Sequence, residues 1–261
     1  MKNILKYSFI IFSFALGSSF LISTFAIDLK LKNFDETLIG FSLSFFGLGV
    51  VVASITHNII REKFNLFFTL ISSVIIQFLI ILLIFFYFKI LIILLITFVL
   101  GFTNHINFLT IETHISSQYK KNSGFYISLF WSSGGLGAIL GSLIIAINGV
   151  NITSYSIALI LIIFQLVPIL IAKSSVMNII IENVKFSLSY KVINNIKFIL
   201  LCVFLLGVSD AGWSSLFPSY LIEKGFNDKD VGQINFIAGT LVLIIYPFVG
   251  KLIDKTRNIR I

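Results

Sequence analysis

Charge is what this chain has least of. Only 11% of its 261 residues are Asp, Glu, Lys or Arg, against 57% apolar residues. A soluble domain carries roughly 25% charge, and the mean hydropathy here is +1.04. Cysteine is nearly absent: Cys202 stands alone, so no disulfide and no CxxC metal site can form within the chain. No alternating ten-residue pattern is present, which excludes an outer-membrane barrel. No Gly-x-x-x-x-Gly-Lys-Ser/Thr loop is present, so transport powered by ATP within this chain is not expected. The net charge of +8 comes from basic residues scattered in short segments. They form no stripe, and nucleic acid is therefore not a partner. Nothing in the sequence asks for a metal or a cofactor.

What is there is a series of apolar runs of about 20 residues, each long enough to cross a hydrocarbon core of roughly 30 Å as a helix. Backbone in lipid must satisfy its own hydrogen bonds, so the runs are predicted to be helices. They fall at about residues 5–27, 37–60, 66–86, 90–113, 124–147, 153–172, 198–221 and 231–249. Lys2 and Lys6 precede the first run. That run is too long for a signal peptide, and Phe25-Ala26-Ile27 makes a poor cleavage site, so it reads as an uncleaved span.

Loop charge sets the orientation. With the N-terminus in the cytoplasm, fourteen basic residues fall on the cytoplasmic side and five on the other, as the positive-inside bias requires. The acids invert this: Asp28, Asp35, Glu36, Glu223, Asp228 and Asp230 lie outside. The longest connection runs from Lys173 to Lys197. Its 178–192 portion is mildly amphipathic and could lie along the membrane surface or serve as a plain tether.

A short charged stretch recurs after two of the apolar runs. Asn58, Arg61, Glu62 and Lys63 follow one apolar run, and Gly250, Lys251, Asp254, Lys255 and Arg257 follow another. Gly40 aligns with Gly232, Gly47 with Gly239 and Glu62 with Asp254, all at one offset of 192 residues. A helix followed by a charged hinge, repeated half a protein later, is the mark of an internally duplicated transporter.

Six spans, a connector and a second block repeating the first resembles the major facilitator superfamily. The loop between that family's second and third spans reads roughly Gly-x-x-x-Asp-Arg/Lys-x-Gly-Arg-Lys/Arg. Gly250, Asp254 and Lys255 match it in the repeat, with Arg257 where the second Gly would stand. In the first copy Asn58 replaces the Gly, Glu62 the Asp, and Lys63 keeps the cation. The resemblance implies an all-α bundle of about eight transmembrane helices. It divides the chain into a six-helix half (1–173), a cytoplasmic connector (174–197) and the first two helices of a second half (198–261). It also implies a gating latch at Asp254 and, less directly, at Glu62; the other reading is interfacial charge that only sets topology.

Candidate site residues are the ionisable groups at membrane depth, where charge is costly and usually functional. Asp210 shares a helical face with Gly207, Trp213, Ser214 and Phe217. The acid could bind a cationic group, take up a proton, or pair structurally with a neighbouring helix. On the fourth run His105, Phe108 and Glu112 share a face, with Asn104 and Asn107 beside it. His105 and Glu112 could belong to a proton path or only bond adjacent helices. Many family members have an Arg four residues before the Gly of this span; here it is Thr97. His57 and His114 lie near the interfaces and call for no functional explanation. Gly137-x-x-x-Gly141 has the spacing of a close helix contact.

The family usually has twelve spans, so the resemblance implies a chain truncated after its eighth helix; a complete eight-span protein is the alternative. The expected function is a permease of the bacterial inner membrane, monomeric when complete. It would move a small solute by alternating access among membrane lipids, with H+ a candidate coupling ion. The sequence shows no catalytic cluster, so an enzyme is not expected. A polytopic membrane enzyme and a non-transporting sensor or assembly protein remain the rival classes.

Overall fold

The computed structural model describes residues 2–86, 89–119, 123–177, 197–198, 201, 205 and 216–256. Among the described residues ten helices run in order: α1 Lys2–Leu31, α2 Glu36–Lys63, α3 Leu66–Phe86, α4 Ile90–Gln118, α5 Ser123–Asn148, α6 Ile152–Phe164, α7 Leu166–Ile171, α8 Lys173–Met177, α9 Phe217–Glu223 and α10 Asp228–Thr256. Among the described residues no strand is found. Among the described residues six helices are long and apolar enough to cross a membrane, with α6 and α7 forming one of them. The predicted seventh run lies mostly outside the described residues, and the eighth falls within α10.

Helix α1 is the axis. Ile4, Tyr7, Ile11, Phe14, Phe20, Leu21 and Phe25 are all buried, and the helix packs against α5, α6, α4 and α9. A helix enclosed by other helices is apolar on every side. Two crossings are made backbone to backbone. A Cβ on Gly101 of α4 would collide with the Phe46 carbonyl of α2, and one on Gly49 with the Phe98 carbonyl of α4. Only glycine permits this approach, and dispersion across the contact then holds helices that lipid does not drive together.

The sixth span is interrupted. Pro168 has no N–H to offer the Phe164 carbonyl one turn back, and the regular helix breaks at Gln165. Asn151 starts this span with a capping box: its side chain accepts from Thr153 N–H at 2.9 Å, and Ser154 Oγ accepts from Asn151 N–H at 3.1 Å. The amphipathic connector predicted over 178–192 lies outside the described residues. Just before it, Ser175 of α8 accepts from Lys6 Nζ at 3.0 Å.

The charged hinges differ from expectation in extent. Asn58 to Lys63 complete the last turns of α2, leaving only Phe64 and Asn65 before α3. Asn65 Oδ1 accepts from Phe68 N–H at 2.8 Å and so caps α3. Likewise Gly250, Lys251, Asp254 and Lys255 stand on the closing turns of α10. The acids and cations end helices here, and the turn between α2 and α3 is two residues.

The duplication also extends into turn geometry. After α1, Asn33 adopts φ 59°, Phe34 N–H reaches the Leu29 carbonyl at 3.0 Å, and Asn33 N–H the Lys30 carbonyl at 2.9 Å. After α9, Gly225 adopts φ 89°, Phe226 N–H reaches Leu221 at 3.1 Å, and Gly225 N–H reaches Ile222 at 3.0 Å. Both are the same left-handed helix ending. Every pair (Leu29/Leu221, Asn33/Gly225, Phe34/Phe226, Glu36/Asp228) stands at the 192-residue offset.

Candidate functional site

The helix directions give the bundle two ends. The end where α1 begins is basic. The end where α1 stops and α2 begins is acidic, and it carries most of the described polar contacts between the first six spans and the later helices. Lys30 of α1 lies 2.9 Å from Glu36 of α2 and 3.4 Å from Glu223 of α9. Ser219 Oγ of α9 donates to the Ala26 carbonyl at 3.4 Å. Asp228, the first residue of α10, accepts from Val150 N–H at the end of α5. Gly149 makes this possible: its φ of +70° suits glycine, and a Cβ there would sit 2.6 Å from the Asp228 carboxylate. Nearby, the Tyr155 hydroxyl donates to Asp28, which also meets Lys32 at 2.9 Å.

Between the ends, α10 lies along α5. A Cβ on Gly232 would strike the Ala146 backbone, and one on Gly239 would stand 2.7 Å from Ile139 Cγ1. The opposite side of α5 faces α1, where Gly137 meets the Phe12 carbonyl and a Cβ on Gly141 would come within 3.0 Å of the Leu16 carbonyl. At the basic end Lys251 stands over the Phe125 ring at 5.7 Å.

The predicted α4 residues separate into two groups. Asn104 and Asn107 turn toward α3 and are buried. Gln77 Nε2 donates to Thr103 Oγ1 at 2.7 Å and to Asn104 Oδ1 at 3.3 Å, and Ser73 Oγ donates to Asn107 Oδ1 at 3.3 Å. This polar seam joins two spans, and it takes Asn104 off the face shared by His105 and Glu112. Thr97 is fully buried and donates to the Ser42 carbonyl of α2 at 2.9 Å. His57 contacts Thr110 Oγ1 at 3.1 Å, and His114 stands edge-on to Tyr7.

The second group is open. Glu112 is partly buried, a turn and a half before α4 ends, and its Oε1 accepts from Trp131 Nε1 of α5 at 3.3 Å. Phe108 packs against the same indole in a T-shaped pair at 5.8 Å between centroids, and Phe130 forms another at 6.1 Å. His105 is partly buried two turns along the same face as Glu112. Among the described residues no Lys or Arg forms an ion pair with Glu112. Trp131 was not singled out from sequence; an aromatic among the small residues of the fifth run was the available signal. Asp210, Trp213 and Ser214 lie outside the described residues. The side chain of Asp254 is likewise not described, Lys255, Glu62 and Lys63 are exposed, and no metal-binding cluster is found among the described residues.

Chemically, this arrangement offers an acid, an indole donor and aromatic faces between two spans, with reversible polar contacts at the far end of the bundle. A sequence profile of the Major Facilitator Superfamily matches residues 7–261. No curated protein matches the chain. With that profile covering nearly its whole length and six apolar helices able to cross a membrane, this multi-pass chain belongs to the Major Facilitator Superfamily and is a membrane transporter of that kind.

Proposed function

We propose that the chain moves a small solute across the bacterial inner membrane by alternating access. The N-terminus, and with it the basic end, faces the cytoplasm. The observation that carries this reading is the makeup of the contact between the two blocks. At the acidic end it consists of Lys30–Glu223, Asp228–Val150 and Ser219–Ala26. These are a few separate polar contacts, with Lys30–Glu223 open to water, so exchanging them costs less than opening an apolar core. The glycine-lined α5–α10 surface presents a smooth face along which one block could rock against the other. The excess of cations at the basic end supports the orientation.

Proton coupling is a further part of the proposal, with Glu112 and Asp210 as its carriers and His105 as an accessory group. The test is uptake of labelled amines, sugars and amino acids into liposomes containing the whole chain under an imposed pH gradient. Accumulation above protein-free liposomes that collapses with the gradient is the expected result. Binding of a solute without any flux would remove the transport reading. Uptake and pH dependence unchanged in Asp210→Asn and in Glu112→Gln would remove the coupling role of these acids.

A further inference from the structure

We infer that Arg61, on the last turn of α2 beside α4, is a binding site for a phosphoryl anion. The inference goes beyond the transport reading and does not depend on it.

The first observation is a charge without a counterion. Arg61 Nε is buried and has no hydrogen-bond partner among the described residues, and none of the ion pairs described includes Arg61. A cation drawn from water and left unpaired is costly. A basic side chain that only snorkelled would keep its charged head in water, whereas here part of the head is sealed.

The second observation is the makeup of the surroundings. His57, one turn before Arg61, bonds Thr110 Oγ1 and the Asn58 side chain. His114, one turn after Thr110, bonds Gln118 and stands edge-on to Tyr7 of α1. The charge of Arg61 reaches both imidazoles. Each ring is already bonded elsewhere, and neither can supply negative charge. The described acids do not supply it either. Glu62 is exposed and stands about 100° further round the helix. Glu112 is bonded to Trp131 on the side of α4 that meets α5. The nearest further charge is another cation, Lys6, which bonds Ser175 beside Tyr7.

The third observation is depth. Arg61 is partly exposed and lies where α2 ends at the basic end of the bundle. That is the level at which lipid phosphates and soluble anions meet a spanning helix. The planar guanidinium fork matches two oxygens of one phosphoryl group and holds them in a fixed geometry. The group can belong to a lipid headgroup or to free phosphate.

The test is thermal unfolding of the delipidated, detergent-solubilised whole chain. It is titrated at constant ionic strength with inorganic phosphate and, separately, with dihexanoylphosphatidylglycerol, with chloride as the reference. A saturable rise in melting temperature is expected from at least one of them. A response to phosphate assigns the site to a free anion, and a response to the lipid alone assigns it to a headgroup. Arg61→Gln should weaken binding about tenfold or more. Arg61→Lys keeps the charge and loses the fork, and should weaken it about threefold, which carries the test if Arg61→Gln does not fold. Lys173 is an exposed cation of the same end, and Lys173→Gln should change binding less than about twofold. An equal loss in Lys173→Gln would mean diffuse attraction to basic residues and overturns the site. So does unchanged binding in a folded Arg61→Gln protein, or a wild-type chain that answers neither probe. Asp254 and Glu182, whose side chains are not described, provide the last check. Stability losses that fail to add between Arg61→Gln and either Asp254→Asn or Glu182→Gln would show that the chain supplies its own counterion, and this too overturns the site.

Discussion

Asp228 and Gly149 form the smallest unit in which sequence, geometry and energy can be followed together. Asp228 opens α10, where a negative charge complements the helix N-terminus, and its carboxylate accepts from Val150 N–H. Gly149 supplies both the positive φ and the space for that carboxylate. Asp228→Ala is expected to cost about 1–3 kcal/mol, because a backbone donor loses its charged acceptor. Gly149→Ala should cost about 1–2 kcal/mol from its backbone conformation alone, and more because the new methyl displaces Asp228. The two losses should therefore fall short of additive in the double mutant. Thermal unfolding of the solubilised protein and its three variants measures this, and strict additivity would break the link.

At the scale of elements, the crossings depend on which glycines face backbone. Gly101 and Gly49 put α4 and α2 in main-chain contact. Gly101→Val is expected to destabilise by about 3 kcal/mol or more, since the obstacle is backbone and cannot rotate aside. Gly47 was matched with Gly239 by the repeat, yet no described residue of another element lies within 4 Å of its Cβ position. Gly47→Val should therefore leave melting and monodispersity nearly unchanged. The α3–α4 seam is subtler. Gln77→Leu removes two interhelical donors and should cost about 1 kcal/mol, since such bonds in membranes average well below that each. A loss of several kcal/mol would mean that the seam organises more of the bundle than its two bonds.

At the scale of the whole molecule, Lys30 ties α1 to α2 and α9 at the acidic end, reaching both Glu36 and Glu223. The group is exposed, so Lys30→Ala should leave the melting temperature nearly unchanged. It should instead shift the balance between conformations open at opposite ends, because it acts on the contact between blocks. Ser219 is buried at that end and bonded to Ala26. In a Cys202→Ser background, Ser219→Cys should react with a membrane-impermeant thiol reagent several-fold faster once Lys30 is Ala. An unchanged rate would show that the ion pairs do not govern opening at this end.

Composition and periodicity by themselves determined the membrane and the helices, and the repeated hinge motif at Glu62-Lys63 and Gly250-Asp254-Lys255 carried the family resemblance. The first two are sums over many residues: about 20 apolar side chains make a span whichever neighbour they meet. The repeat was legible too, through Gly40/Gly232, Gly47/Gly239 and Glu62/Asp254, though its recurrence in the turns at Asn33 and Gly225 needed backbone angles. Glu112 and His105 stood out because charge is rare in a span. Only the tertiary structure decided what they face. It turned Asn104 toward Gln77 and away from Glu112, brought Trp131 to Glu112 from another helix, and set Gly149 under Asp228 across 79 residues of chain. A helical face is fixed by local geometry, but its partner is chosen by the packing of distant helices, where a few tenths of an ångström at a glycine decide which backbones can meet.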